Sequence, residues 1–267
     1  MEYQGNIIKM KTELADPIQY RLPIGDQQVN MNELIGQQIQ FQFDGQINCI
    51  ACGKKTKTSF GQGFCYSCFQ TVPEADESVV RPELSKAQFG VARDLAWAEE
   101  HDLIEHYVYF AVSSELKIGV TRHHQIPTRW IDQGASRAIK LAKTPNRHIA
   151  GIIEVLLKKH FTDKTNWRAM LQNQVDDSIQ LEEEKQKARE LMPRELQQYF
   201  SDENEVVELH YPVISYPAKV SSVSFDKKPL IEGKLTGIKG QYLLFDQNQA
   251  LNIRKHNGYF LRLNVKS

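Results

Sequence analysis

Four cysteines, all the chain has, fall as two close pairs: Cys49 and Cys52, then Cys65 and Cys68. Two residues separate the members of each pair and twelve separate the pairs. Each pair forms a knuckle that can point two thiolates at one ion, and four thiolates complete a tetrahedral zinc site. Gly53 follows the first knuckle, and residues 54–64 are long enough for a short hairpin that returns the chain to the second. Two disulfides or a redox pair are the alternatives. They fit less well, because no secretory signal precedes the cysteines and cytosolic thiols stay reduced. A structural zinc contributes on the order of 10 kcal/mol or more to a finger-sized segment. The pattern therefore predicts a zinc ribbon, which braces the N-terminal third without naming a function.

The rest of the chain is long enough for two domains, or one core with appendages, at 267 residues. Hydrophobic content is 41% and charged content 25%, as in soluble globular proteins. No apolar run approaches the roughly 18 residues that a membrane span needs. The expectation is a cytoplasmic protein with no membrane partner. Net charge is zero, but it is unevenly spread. From Lys117 to Arg168 there are eleven Lys/Arg against three Asp/Glu; from Asp176 to Glu208 there are four against eleven; from Lys219 to Ser267 there are nine against three. Basic segments flanking an acidic one suggest an anionic partner. Mutual neutralisation within the fold is the competing explanation.

Local patterns divide the chain into six segments. Residues 1–48 alternate like β-strands at 7–11, 18–22 and 37–43, with breaks at Pro17, Pro23 and Asp44-Gly45. The ribbon occupies 49–70, and 71–104 connects it to a central core, with a short helical stretch near 96–100. Residues 105–172 begin with a hairpin, His106–Val112 and Leu116–Thr121 around Ser113-Ser114. A short helix after Pro127, a strand at 138–141 and an amphipathic helix over 149–161 come next, then helical residues at 164–171. The helix carries apolar residues at 149, 152, 153, 156 and 157. Residues 173–204 read as a charged segment with a helix over 178–200, interrupted at Pro193. Residues 205–267 return to strands at 206–210, 218–225, 233–235, 242–245, 251–254 and 259–265. The fold class expected is α+β: a small α/β core, the ribbon, and an antiparallel β barrel or sandwich formed by the N- and C-terminal segments together.

Tyr109, Lys117, Arg129 and Glu154 form the constellation that can carry chemistry. Tyr107-Val108-Tyr109 lies on the first hairpin strand and Lys117-Ile118-Gly119 on the second. Arg129 comes after them on the short helix, and Glu154 sits within an apolar run of the amphipathic helix. In this order and spacing, residues 105–172 resemble the core of the GIY-YIG nuclease superfamily. Tyr107 stands in place of that family's glycine, and Lys117 in place of its second-motif tyrosine. The resemblance implies a phosphodiester-hydrolysing site in which Glu154 holds one magnesium or manganese ion. Arg129 would clamp a phosphate, Tyr109 would orient or deprotonate water, and Lys117 would add positive charge. The whole chain also resembles a family of uncharacterised bacterial proteins that join a four-cysteine ribbon to such a core. Relatives of that kind carry a second cysteine/histidine set, whose places here are Ala75, Ser78, Ser85, Ala92 and Asp102. The resemblance implies that one metal site is kept and the other lost.

Plainer roles stand beside these. Tyr109 can be a packed strand aromatic. Arg129 can pair with Asp132, and Glu154 can be half of a buried ion pair with Arg129. His123-His124 suits a solvated loop, and Trp130 and Trp167 suit the core or a base-stacking surface. Three functions remain open: a metal-dependent endonuclease acting on DNA or RNA, a zinc-containing nucleic-acid adaptor without catalysis, and a protein-interaction module built on the acidic helix.

Overall fold

A computed structural model describes residues 1–162 and 164–266. It shows a mixed α+β protein made of two compact units. The first comprises Met1–Gln70, Leu171–Asn173 and Leu209–Ser267; the second comprises Thr71–Met170 and Gln174–Glu208.

The first unit is built on a sheet whose long strand, Gln38–Asn48, lies between Tyr259–Lys266 and Leu230–Lys239. Glu2–Asn6 pairs with Tyr259–Lys266 on one side. Tyr242–Phe245, Gln249–Asn252 and Ser221–Val223 continue the sheet on the other. Alternate residues of these strands, including Ile39, Phe41, Leu261, Leu263, Ile231 and Leu235, are buried. That is the period-two pattern of a sheet with one face covered. Strands from both chain ends thus share one sheet, since neither end alone offers enough apolar surface for a core.

Three expectations are corrected here. The barrel or sandwich is not wholly antiparallel, because Ser221–Val223 runs parallel to Gln249–Asn252. Asp44-Gly45 does not end a strand. It forms a bulge where pairing steps from Tyr259–Ile47 to Leu261–Phe43, and Gly45 takes the φ of +86° that a side chain would resist. The strand expected at 7–11 is displaced to Glu2–Asn6 and Lys11–Glu13; the latter joins Gln19–Ile24 and Gln27–Asn30 in a separate three-stranded sheet.

The second unit holds a four-stranded antiparallel sheet in the order Val207–Glu208, Arg137–Thr144, His106–Val112, Leu116–Arg122. Val207–Glu208 therefore belongs with the central hairpin, not with the C-terminal strands where its composition suggested it would go. Val108, Phe110 and Val112 form a core with Ile153 and Leu157 of the helix Arg147–Leu157, and with Leu181 and Ala188 of the helix Leu181–Leu191. Asn146 caps the first of these helices, its side chain accepting from the Ile149 N–H at 3.0 Å. The second helix has Glu182, Glu183 and Glu184 in its first turn and Arg189 in its last, which complements the helix dipole. It stops before Pro193, and a second short helix, Arg194–Gln197, starts just after it. The amphipathic helix covers its whole apolar stripe but is shifted from the expected 149–161, starting at Arg147 and ending at Leu157. The helical residues expected at 164–171 narrow to Trp167–Leu171.

Candidate functional site

The ribbon places its four sulfur atoms within 4.8 Å of one another, and Cys52 Sγ lies 3.9 Å from Cys65 Sγ. A zinc ion at ~2.3 Å from each of four tetrahedral sulfurs requires sulfurs ~3.8 Å apart, so the four residues fit the ion. A disulfide needs contact near ~2.0 Å, and all four cysteines are free thiols. The Cys49 N–H donates to Lys54 O at 2.9 Å and the Gly53 N–H to Cys49 O at 2.8 Å, closing the first knuckle around a Gly53 φ of +72°. The expected hairpin is short. Lys55–Thr56 pairs with Ile47–Asn48, and Phe60 bridges Phe64 before Cys65 leads into the helix Tyr66–Thr71. Burial raises the Cys49 thiol, but the backbone N–H groups of Cys52, Cys65 and Ala51 more than offset this and bring it down to about 6. A hydrogen bond with Cys65, followed by burial, pushes Cys68 up to about 12. Without metal, Cys49 thus yields its proton more readily than Cys68, and a bound dication would draw off the protons that remain.

The ribbon's surface is basic and aromatic. Lys54, Lys55 and Lys57 are exposed, and no acidic residue occurs between Asp44 and Glu74. Tyr66 is 58% and Phe69 37% exposed, with Phe60 packed on both at ring distances of 5.4 and 6.1 Å. Gln62 ties this surface to Arg254 and Asn257 at 2.8 and 2.9 Å, beside exposed Lys255.

In the second unit, the hairpin register sets Tyr109 opposite Gly119 and Ala111 opposite Lys117. All four therefore lie on one sheet face, while Val108, Phe110 and Ile118 enter the core on the other. The glycine has a steric cause. A Cβ on Gly119 would sit 2.6 Å from the Tyr109 hydroxyl, so the phenol occupies the space that the missing side chain leaves. Gly119→Ala is expected to displace Tyr109 and to destabilise the unit by about 1–3 kcal/mol in denaturant melts. An unchanged midpoint would show that the phenol relocates freely.

Tyr109 donates to Gln133 Oε1 at 2.8 Å. Burial pushes its phenol above the usual value, the nearby Arg129 charge opposes this, and Glu154 adds to it. The phenol stays protonated at neutral pH and acts as a donor. Tyr109, Arg129 and Glu154 are thus brought into one electrostatic neighbourhood. Glu154 pairs with Lys158 at 3.3 Å, and Lys117 donates to Thr165 at 3.1 Å. Arg129 is half-buried, and its Nε has no hydrogen-bond partner among the described residues. Trp130 is buried, as its core role requires, and His123 and His124 are exposed on a single turn.

Sequence reasoning missed Gln133, which orients Tyr109, and Arg147, which burial and its neighbours Asp102, Arg129 and Glu154 tie into the same network. Neither carries a local motif. Part of the positive charge of this segment is neutralised within the fold: Lys140 pairs with Glu203 at 2.7 Å and Lys143 with Glu105 at 2.8 Å. Ser78, Ser85, Ala92 and Asp102 line a single cleft. Among the described residues, the only metal-competent group of three or more His, Cys, Asp or Glu side chains is the cysteine cluster. No helix among them is long and apolar enough to cross a membrane.

Residues 36–261 match a family described as a protein of unknown function, DUF2797. No curated protein and no solved structure matches the chain.

Proposed function

We propose that this chain, which belongs to the DUF2797 family of proteins of unknown function, is a zinc-braced protein that binds single-stranded nucleic acid through its ribbon. The observation that carries this reading is the ribbon surface. The ribbon carries three exposed lysines, no acidic residue, and exposed Tyr66 and Phe69. The lysines offset the negative charge that a zinc tetrathiolate retains and attract phosphates. The aromatic rings offer faces on which any base can stack. Replacing Lys54, Lys55 and Lys57 together with alanine is expected to flatten the salt dependence of oligonucleotide binding by about 2 log-log units, at about 0.7 per phosphate contact. Tyr66→Ala is expected to weaken binding by ~1–3 kcal/mol. Fluorescence anisotropy with DNA and RNA oligonucleotides measures both. No binding at low salt would leave the third reading, a protein-interaction module on the helix Leu181–Leu191.

Within this reading the GIY-YIG-like core serves as a scaffold. Its support is burial: Tyr109, Lys117 and Glu154 are 0%, 5% and 6% exposed, which gives a phosphodiester little access to them. One observation favours the nuclease instead. Half-buried Arg129, whose buried Nε has no hydrogen-bond partner among the described residues, lies beside Tyr109 and Glu154, where the rest of its guanidinium would clamp a phosphate oxygen. In that reading Glu154 would hold magnesium or manganese, which would polarise the phosphate. Incubating the protein and Glu154→Gln with DNA and RNA, with and without these ions, separates the two. The scaffold reading expects no cleavage; metal-dependent cleavage lost in Glu154→Gln would establish the nuclease.

A further inference from the structure

A cleft of about 370 Å³ opens in the second unit between the 73–94 segment and the helix Leu95–His101. Its floor is polar and buried, with Asp102 5% and Ser85 3% exposed. Ser85 Oγ donates to Asp102 Oδ2 at 3.1 Å. The second carboxylate oxygen, Oδ1, is buried and receives no hydrogen bond among the described residues. Arg147 Nη1 stands 3.8 Å from it, near enough to balance charge but too far to donate. The rest of that guanidinium is already committed, its Nε and Nη2 donating to the Ser78 and Val79 carbonyls at 2.8 and 2.6 Å. A buried acceptor of this kind is unfavourable until a donor reaches it.

The walls select what that donor can belong to. Leu84, Val91, Ala98 and Trp97 make them largely apolar, and Trp97 is fixed by stacking on His101 at 4.1 Å. An ammonium or metal cation would meet Lys86 and Arg93 in the lining, and the Asp102 charge is already balanced by Arg147, which does not itself line the cleft. A phosphate or carboxylate would meet Asp102, Asp76 and Asp94, although Arg93 already engages Asp76 at 2.9 Å. A flat, uncharged body with an N–H edge meets neither obstacle. The volume lies at the lower end of small-molecule sites, about 300–1,000 Å³, which suits one nucleoside and excludes a long strand.

We infer that this cleft binds a planar, uncharged amino-heterocycle of the nucleobase class, with Asp102 Oδ1 accepting from its N–H edge. The site shares no residue with the ribbon surface and would take a single base, free or unstacked from a strand.

Titration of the zinc-loaded protein with guanosine, adenosine and cytidine, monitored by amide NMR and calorimetry, tests it. Saturable binding is expected, with shifts concentrated at residues 84–102. Asp102→Asn should weaken binding by about 10–100-fold, the loss of a hydrogen bond to a charged acceptor. Because that change also touches Arg147, a second variant is needed. Ala92→Trp fills the cleft from an exposed lining position and should abolish binding while leaving the melting temperature unchanged. The inference is overturned if no nucleoside produces saturable shifts, if Ala92→Trp binds like the native chain, or if ribose alone binds equally well. Oligonucleotide binding by the ribbon lysines is measured separately, so failure of one reading leaves the other intact.

Discussion

Stripping zinc from the reduced protein with a chelator is expected to unfold residues 49–70 while the strands they join stay folded. The ribbon has little else to hold it. Of its side chains only Cys49 and Phe64 reach near-complete burial, and its one ladder to the main sheet is the two-residue pairing of Lys55–Thr56. A structural zinc supplies on the order of 10 kcal/mol at neutral pH, far more than that packing can replace. The sheet around Gln38–Asn48 keeps its own core of Ile39, Phe41, Leu261 and Leu263 and does not depend on the ion. The purified protein should therefore carry one zinc per chain, and its four thiols should react with a disulfide reagent only after chelation. Amide spectra should then lose dispersion at 49–70 alone. Cys52→Ser should reproduce that state without a chelator. Four freely reactive thiols in a metal-free protein with an unchanged spectrum would remove the zinc site.

Acidification should destabilise the second unit through His106. This side chain is fully buried on the central strand. Its Nδ1 sits 2.8 Å from Ile104 O and so carries the proton, while Nε2 has no hydrogen-bond partner among the described residues. Burial, reinforced by the positive charges of Arg147 and Arg122, lowers its pKa from 6.5 to about 3. The folded state thus refuses a proton that the unfolded chain accepts below pH 6.5. Stability is complete above that value and falls by up to about 1.4 kcal/mol per pH unit between 6.5 and about 3. The loss approaches ~5 kcal/mol if the ring stays neutral throughout. Urea melts across this range should show the slope, and His106→Asn, which keeps a donor near Ile104 O, should flatten it. A variant with the same acid slope as the native chain would assign the acid sensitivity to other groups.

Cooperation between residues distant in sequence separates the features that local patterns reveal from those they hide. The zinc knuckles, the central hairpin and the amphipathic helix are local: each is encoded by a spacing or a periodicity within about twenty residues. The extent of strands was less legible. Gln38–Asn48 runs through Asp44-Gly45 because partners on both sides hold it, and a bulge absorbs the turn-like pair. Val207–Glu208 looked like its C-terminal neighbours but found its partner at Arg137–Ala138. The excess of positive charge over 117–168 could be counted, yet the pairing of Lys140 with Glu203 and Lys143 with Glu105 could not.

Four thiols at knuckle spacing meet wherever the chain allows a turn, so the cysteine pattern alone encodes a cluster able to hold a metal ion, and the apolar runs around Ser113-Ser114 encode the hairpin that carries Tyr109 and Gly119. What surrounds them follows from long-range packing. It buried Tyr109, Lys117 and Glu154, left Arg129 partly open, and put Asp102 beneath a cleft with one oxygen unserved. Burial and hydrogen-bond satisfaction depend on segments brought together from far along the chain, and no local pattern encodes them.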